Sequence, residues 1–175
     1  MATARSDITA RMLGALRLDT ATYEEVEADK TATGQAAFIV VASSLVAAAG
    51  NALLRGGDAN VGLLAAIAEL IGWAFYAWIA YIVGTKLIPG AQTQADWGQL
   101  ARTLGFANTP RFLLIFVAIP GLTALVRLVV SLWILVATIT ALRSALDCGT
   151  GRAIAVGIAS AIGQLLVIGT ALSVI

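Results

Sequence analysis

The chain has 175 residues, of which 59% are hydrophobic and only 12% are charged, whereas about 25% of the residues of a soluble domain are charged. Its 11 Lys and Arg against 10 Asp and Glu give a net charge of +1, which excludes a nucleic-acid-binding protein that depends on a basic face. The apolar content excludes an intrinsically disordered chain and predicts several membrane spans.

The first 33 residues are polar enough to form an arm ahead of the first span. Apolar residues recur at helical spacing between Ile8 and Leu16, with Arg11 and Arg17 beside them. This pattern predicts a short amphipathic helix on the cytoplasmic leaflet, with its basic side chains toward the lipid headgroups. A second helix is predicted to begin at Thr22, because Thr22 and Glu25 have the spacing of a capping box. The polar start is unlike a cleaved signal peptide.

Four stretches of the remaining chain are nearly free of charge and long enough to cross a hydrocarbon core of about 30 Å as helices. The predicted spans are numbered one to five in chain order, and span three lies between the second and third of these stretches. Span one runs from about Gly34 to Leu54, span two from Gly62 to Gly84, span four from Leu122 to Leu146, and span five from Ala153 to Ile175.

Span three is the least regular of the predicted spans. The stretch from Phe112 to Leu142 is too long for one span and too short for two, and it is broken at Pro120 and Gly121. Span three must therefore begin upstream, near Trp97 or Leu100. It then includes Asn108-Thr109-Pro110, which has the pattern of a helix start. We expect a kink or step at Pro110.

The distribution of Lys and Arg selects five spans over four and sets the orientation. With five spans, nine of the 11 basic residues fall on one side and only Arg55 and Arg127 on the other. The positive-inside rule then places the N-terminus in the cytoplasm and the C-terminus outside. The predicted fold is an all-α, polytopic membrane helical bundle of five transmembrane helices (residues 34–175), preceded by a cytoplasmic amphipathic arm (residues 1–33).

Two charged residues fall inside predicted spans, Glu69 in span two and Arg127 in span four. A charge within the bilayer is costly and is therefore a functional-site hypothesis by default. Both residues lie a few residues below the outer ends of their spans, so we predict that they form an intramembrane ion pair. In the alternatives, Arg127 snorkels to the outer headgroups and Glu69 sits protonated near the interface.

Charged residues on the predicted cytoplasmic side are candidates for a docking surface. In the alternative, they form a solvated helix that leads into span one, as runs of charge often do. The candidates are Glu24, Glu25, Glu27 and Asp29 in the arm, and Arg143, Asp147 and Arg152 before span five.

Small residues repeat every four positions along span five, at Gly149, Ala153, Gly157 and Ala161. Such rows let helices approach closely in lipid, where van der Waals packing drives association. We expect the row to pack inside the bundle, with a partner-binding face as the alternative.

Several segments resemble the bacterial Yip1-domain family, over roughly residues 20 to 175. The resemblance implies a five-span helical membrane protein with a cytoplasmic N-terminus. Eukaryotic members are associated with vesicle traffic and small GTPases, but their Asp-Leu-Tyr-Gly-Pro-type signature is absent here, so a small GTPase partner is not expected. The segments are Thr22 to Asp29, Leu104 to Ala107 with Pro110, Pro120, and Ala141 to Asp147 with Thr150 and Arg152 to Ile154.

The sequence lacks the residues of common catalytic and metal sites. It has no histidine and one cysteine, Cys148, and shows no Walker-type or dinucleotide-type glycine motif. We therefore expect no catalytic residue, no metal and no cofactor. The predicted function is a non-enzymatic scaffold or accessory subunit in the bacterial cytoplasmic membrane, with the lipid bilayer and other membrane subunits as its partners. The alternative is a small-solute or ion transport component that uses Glu69.

Overall fold

A computed structural model describes residues 7–55, 59–90 and 93–173, and all regular secondary structure in these ranges is helical. The first six residues of the predicted arm, the turn after span one and the last two residues of span five lie outside them. A π-helical turn, Val83–Leu87, extends α4, and a 3₁₀ segment, Thr109–Ala118, follows α5. The helices are α1 Ile8–Leu16, α2 Thr20–Ala28, α3 Ala32–Arg55, α4 Ala59–Ile82, α5 Trp97–Phe106, α6 Thr123–Ala145 and α7 Thr150–Ser173.

Four of these helices, α3, α4, α6 and α7, are long and apolar enough to cross a membrane. They coincide with predicted spans one, two, four and five, so these four positions are confirmed. Their outward faces carry large exposed side chains such as Leu64 and Leu165, at 67% and 70% exposure. Exposed apolar faces of this kind are expected where lipid tails surround a helix bundle.

Close backbone contacts pack α3 against α5 and the 3₁₀ segment. A Cβ atom at Gly105 would lie 2.5 Å from the Cβ atom of Ala36, and one at Gly50 would lie 2.4 Å from the carbonyl oxygen of Leu114. Neither position has room for a larger residue, because the neighbours are a helix backbone or atoms next to it. Glycine thus permits the short interhelical distance that stabilises helix pairs in lipid.

Helix α5 begins at Trp97, one of the two starts considered for span three, and its position is fixed by a capping box at Asp96. The Asp96 Oδ1 atom accepts a hydrogen bond from the Gln99 amide at 2.8 Å, and the Gln99 Oε1 atom accepts one from the Asp96 amide at 2.6 Å. These two bonds satisfy backbone donors that the first turn of a helix leaves without partners.

The predicted step at Pro110 is confirmed, because the α-helix ends at Phe106 and continues as the 3₁₀ segment. Pro110 has no amide hydrogen, so the Phe106 carbonyl loses its usual donor. The Thr109 hydroxyl supplies the missing bond at 2.6 Å, and the Asn108 side-chain amide bonds the Leu104 carbonyl at 2.9 Å. Two side chains thereby satisfy the backbone at a break that lies deep in the bundle.

The arm folds back as a helical hairpin, with Tyr23 and Val26 fully buried against the rest of the bundle. The second helix begins at Thr20 rather than at Thr22 as predicted, because Asp19 acts as its N-cap and accepts a hydrogen bond from the Ala21 amide at 3.3 Å. Aspartate is among the strongest N-cap residues. The chain therefore starts the helix at the first cap available after α1.

The orientation predicted for Arg11, toward lipid headgroups, was wrong. Arg11 is only 4% exposed and pairs with Glu25 at 3.0 Å and with Asp29 at 2.6 Å. It also donates to the Gln35 side chain at the start of α3, at 3.0 Å. Two carboxylates and an amide thereby compensate the charge and the hydrogen-bond donors of a guanidinium that is removed from water.

Candidate functional site

Glu69, the acidic residue inside α4, forms a two-pronged ion pair with Arg111 of the 3₁₀ segment. Both guanidinium nitrogens of Arg111 donate to the carboxylate, each at 2.6 Å and each to a different oxygen. Paired, parallel charge-assisted bonds of this kind are among the strongest side-chain contacts. Glu69 keeps 42% of its side-chain surface exposed against 20% for Arg111, so the carboxylate is the more accessible partner.

The predicted ion pair between Glu69 and Arg127 was wrong, because Glu69 pairs with Arg111 instead. Arg127 instead donates to the Asn51 side chain near the end of α3. The prediction compared depths along straight spans and counted Arg111 among the basic residues of a cytoplasmic loop. The structure places Arg111 one residue after Pro110, inside the broken segment and within reach of α4.

A groove of about 800 Å³ opens beside the ion pair, between α4, α5, α6 and α7. Glu69, Trp73 and Tyr76 of α4 form part of one wall, and apolar side chains of α6 and α7 such as Leu135 and Ile158 form the opposite rim. These two rim residues are exposed, each at 57%. The groove therefore opens on the outer surface of two helices that are apolar enough to cross a membrane.

Polar side chains interrupt the apolar lining at further places, and Asn108 just after α5 is one of them. The Tyr76 hydroxyl donates to the Gly157 carbonyl at 3.2 Å, and the Gln164 side-chain nitrogen donates to the Gly72 carbonyl at 2.9 Å. Ser131 and Thr138 of α6 also line the groove. The bonds of Tyr76 and Gln164 join α4 to α7, so they fix the relative position of these two helices.

Two tryptophans, one of them in the groove wall, form hydrogen bonds that fix α4 against α5. The Trp73 indole donates to the Ala101 carbonyl at 3.0 Å, and the Trp97 indole donates to the Ala74 carbonyl at 3.1 Å. Each helix thus contributes one donor to the other, which sets their relative position. That position brings the chain after Pro110 toward Glu69.

The arm is attached to the bundle by donors from two other helices as well as by Arg11. Arg102 of α5, only 4% exposed, donates to the carbonyls of Val26 and Glu27 near the end of α2. Trp133 of α6 donates to the carbonyl of Leu16, the last residue of α1, at 3.0 Å. Cationic and N–H donors at a helix C-terminus satisfy the carbonyls that have no partner within the helix.

Glu27 is the most perturbed of the predicted docking residues. It accepts a hydrogen bond from the Gln99 side chain at 2.9 Å. Burial raises the pKa of Glu27 to about 7, the nearby Asp147 adds to that increase, and Arg102 opposes it. Glu27 and Asp147 are 120 positions apart in the chain, yet the fold brings them into one electrostatic neighbourhood.

The other docking candidates fall into two groups. Glu24, Arg143 and Asp147 are exposed and lie outside the Arg11 cluster, whereas Glu25, which is also exposed, and Asp29 contact Arg11. Hydrogen bonds from Thr31 and Arg11 hold the pKa of Asp29 down to about 2. The first group is the part of the predicted surface that a partner could contact directly.

Arg152 joins the segment after α4 to the start of α7. Its guanidinium donates to the Gly84 carbonyl at 2.8 Å, the Ile88 carbonyl at 2.9 Å and the Thr93 hydroxyl at 2.7 Å. Thr93 in turn donates to the Leu146 carbonyl at 3.1 Å. The structure therefore uses Arg152 to hold two loops together.

The predicted small-residue row of α7 lies partly inside the bundle. Ala153 is fully buried, and a Cβ at Gly157 would lie 3.2 Å from a methyl group of Leu142. Gly149 is exposed at the start of the helix, and Ala161 lies on the groove. The two central residues of the row thus pack against neighbouring helices, while Ala161 lines the groove.

Cys148 lies in the turn between α6 and α7, where burial raises the pKa of its thiol. A thiol that stays protonated is a poor nucleophile. The turn is closed by the left-handed backbone of Asp147, with the Cys148 amide donating to the Arg143 carbonyl at 3.1 Å. This is the hydrogen-bond pattern of a Schellman cap.

A family model described as the Yip1 domain matches residues 14–172, which is most of the chain. The match includes α2 to α6, the described groove and nearly all of α7. No curated protein and no solved structure matches the chain.

Proposed function

The chain belongs to the Yip1 family, and on that premise we propose that it is a non-enzymatic integral membrane protein that acts as a scaffold or accessory subunit of a larger membrane assembly. The observation that carries this proposal is the fixed position of the arm. Two arginines that are each 4% exposed, Arg11 and Arg102, attach it to the bundle. A buried guanidinium that lost its partners would be costly, so both arginines hold the arm in place. The polar residues of the arm are thereby presented as one ordered surface.

The proposed topology has five spans, with α5 and the 3₁₀ segment together forming the third. Ten α-helical residues rise about 15 Å and ten 3₁₀ residues about 20 Å, which is enough to cross a core of about 30 Å. Contacts at the two ends of the bundle support it. Arg152 meets Ile88 at one end, and Arg127 meets Asn51 at the other.

The positive-inside rule supports a cytoplasmic N-terminus and an outside C-terminus in a bacterial cytoplasmic membrane. Arg102 and Arg111 lie in α5 and the 3₁₀ segment rather than in loops. When they are left out of the comparison, the predicted cytoplasmic side still carries more Lys and Arg than the other side. In this orientation the exposed residues Glu24, Arg143 and Asp147 face the cytoplasm. We propose that they form the docking surface for another membrane subunit.

The transport alternative receives less support from the geometry of Glu69. Both of its oxygens accept a bond from Arg111, so a cation carried by this carboxylate would meet the positive charge of a guanidinium that already neutralises it. A stable ion pair of this kind serves better as an attachment between helices than as a relay. We therefore favour the scaffold.

Site-specific photo-crosslinking in native membranes tests the docking surface. A photoreactive residue at Glu24 is expected to give a discrete higher-mass product, and the additional substitution Arg143→Glu is expected to reduce it at least about fivefold. The matched control is the same photoreactive residue at Ala124, which is exposed near the start of α6.

The expected result is a product from position 24 and none of the same mass from position 124. Purification in mild detergent should return the same partner with the unmodified chain. A lone monomer in both experiments, or identical products from both positions, would contradict the proposal.

A further inference from the structure

We propose that the groove between α4, α5, α6 and α7 binds an uncharged, hydroxyl-bearing membrane lipid of the diacylglycerol type, with its hydroxyl group at Glu69. This goes beyond the scaffold role and does not depend on it. The proposal rests on the size of the groove, on its opening toward the lipid, and on the charge and hydrogen-bonding balance of its polar residues.

The volume and position of the groove fit a lipid better than a solute from water. Its volume of about 800 Å³ lies in the range of sites for drug-sized molecules. Its rim includes Leu135 and Ile158, which are exposed on spanning helices. In a bilayer the molecules that meet this opening are lipids, and the mostly apolar lining matches their acyl chains.

Glu69, Gln164 and Tyr76 offer acceptors to the groove, and the hydroxyl groups of Ser131 and Thr138 can donate as well as accept. Each oxygen of Glu69 receives one bond from Arg111 and keeps a further lone pair for a ligand. Gln164 uses its side-chain nitrogen on Gly72, and Tyr76 uses its hydroxyl hydrogen on Gly157. The Gln164 carbonyl oxygen and the lone pairs of Tyr76 remain as acceptors, so a complementary ligand brings a donor to these groups together with acceptors, such as ester carbonyl oxygens, for the two hydroxyl groups.

The charge balance selects among ligands that carry donors. The carboxylate of Glu69 and the guanidinium of Arg111 cancel, so the polar part of the groove has no net charge. A cationic or anionic headgroup would leave one charge without compensation in surroundings of low dielectric. A hydroxyl group donates one hydrogen bond and adds no charge, which fits both conditions.

Photolabelling of the intact wild-type protein in phosphatidylcholine nanodiscs tests the proposal. The probe is a diacylglycerol with a diazirine in one acyl chain and an alkyne tag. We expect labelled peptides from α6 and α7 that include Ser131 or Ile158. Unlabelled diacylglycerol should compete, whereas the same lipid with its hydroxyl blocked as a methyl ether should need at least tenfold more, because the carboxylate would then lose its donor.

Two variants of α7 provide the matched comparison. Ala161 lines the groove, and Ala155 is exposed on the same helix outside the groove lining. Ala161→Trp fills the groove and should reduce labelling at least fivefold, whereas Ala155→Trp should leave it within twofold. The competition experiment needs no variant, so the proposal remains testable if Ala161→Trp fails to fold.

Three results would overturn the proposal. They are equal competition by diacylglycerol and its methyl ether, stronger labelling by a phosphatidylethanolamine or phosphatidylglycerol probe of matched chains, and labelling that does not map to the groove. The second result would show that the groove selects a phosphate-bearing headgroup. The third would indicate that another helix or a second copy of the chain covers it.

Discussion

Arg111 reaches Glu69 because the helix that carries it is broken one residue earlier. The two side chains meet in two bonds of 2.6 Å, and Pro110 marks the change from α-helix to the 3₁₀ segment. The ion pair therefore attaches α4 to the least regular part of the bundle. It also places a carboxylate on the wall of the groove without leaving a net charge there.

The five-span topology predicts the sidedness of three single cysteines in a Cys148→Ser background. Lys86→Cys and Arg143→Cys should react with an impermeant maleimide from one side, and Leu122→Cys from the other, because α5 and the 3₁₀ segment cross between them. All three positions are exposed. If the chain crossed only four times, Leu122→Cys would share a side with Lys86→Cys, and Arg143→Cys would be opposite.

The step at Pro110 predicts a specific role for the Thr109 hydroxyl. Thr109→Val keeps the shape of the side chain but removes the bond to the Phe106 carbonyl, so it should lower the free energy of unfolding by about 1 kcal/mol. Thr109→Ser retains the hydroxyl and is expected to cost less. Denaturant titrations in mixed micelles measure both. Equal costs would show that the methyl group, rather than the hydrogen bond, matters at this position.

The buried Arg11 predicts that the arm can be released by one substitution. Arg11→Met keeps much of the apolar volume but removes the contacts to Glu25, Asp29 and Gln35. Amide hydrogen exchange in α1 and α2 should become at least about tenfold faster, with α6 unchanged. Arg17→Met is the control, since Arg17 is exposed. Equal exchange rates in the two variants would contradict the attachment described here.

The raised pKa of Glu27 predicts that attachment of the arm weakens as pH rises. The folded protein holds this proton up to about pH 7, whereas an ordinary glutamate releases it near 4.5. A group with a raised acidic pKa contributes stability below its unfolded pKa and loses it as pH passes through the folded value. The unfolding midpoint should therefore fall between pH 5 and pH 8 in the wild type.

Glu27→Gln should remove that part of the pH dependence, since an amide does not titrate. Asp29 does not contribute in this window, because its pKa is held near 2. If the unfolding midpoint changed with pH in the same way in the wild type and in Glu27→Gln, another group would be responsible for the pH dependence.

The sequence predicted the four regular spans because long runs without charge leave few alternatives in a membrane protein. It also predicted the step at Pro110, since a missing amide hydrogen is a local property of proline. The start of α2 was predicted two residues late, although Asp19 is itself a strong cap. The Asp96 capping box was overlooked, yet the Asp96 and Gln99 spacing is visible in the sequence.

The side-chain contacts of the charged residues could not be predicted from the sequence alone. Arg11 was assigned to the headgroups from the amphipathic pattern of the arm, and Arg127 was assigned to Glu69 from their depths along straight helices. Their actual contacts depend on how the arm folds back and on how the end of α3 lies relative to the start of α6. The groove likewise arises from four helices together, and residues from 69 to 164 line it. No short segment of the sequence encodes such a feature.

The most direct measurement of the central claim is a double-mutant cycle on Glu69 and Arg111. Glu69→Gln and Arg111→Gln should each lower the free energy of unfolding by about 2 to 3 kcal/mol, and the double variant should cost at least about 1 kcal/mol less than their sum. The same cycle with Arg127→Gln should be additive within about 0.5 kcal/mol. Additive costs for Glu69 and Arg111, or coupling between Glu69 and Arg127, would contradict the ion pair that attaches α4 to the broken segment.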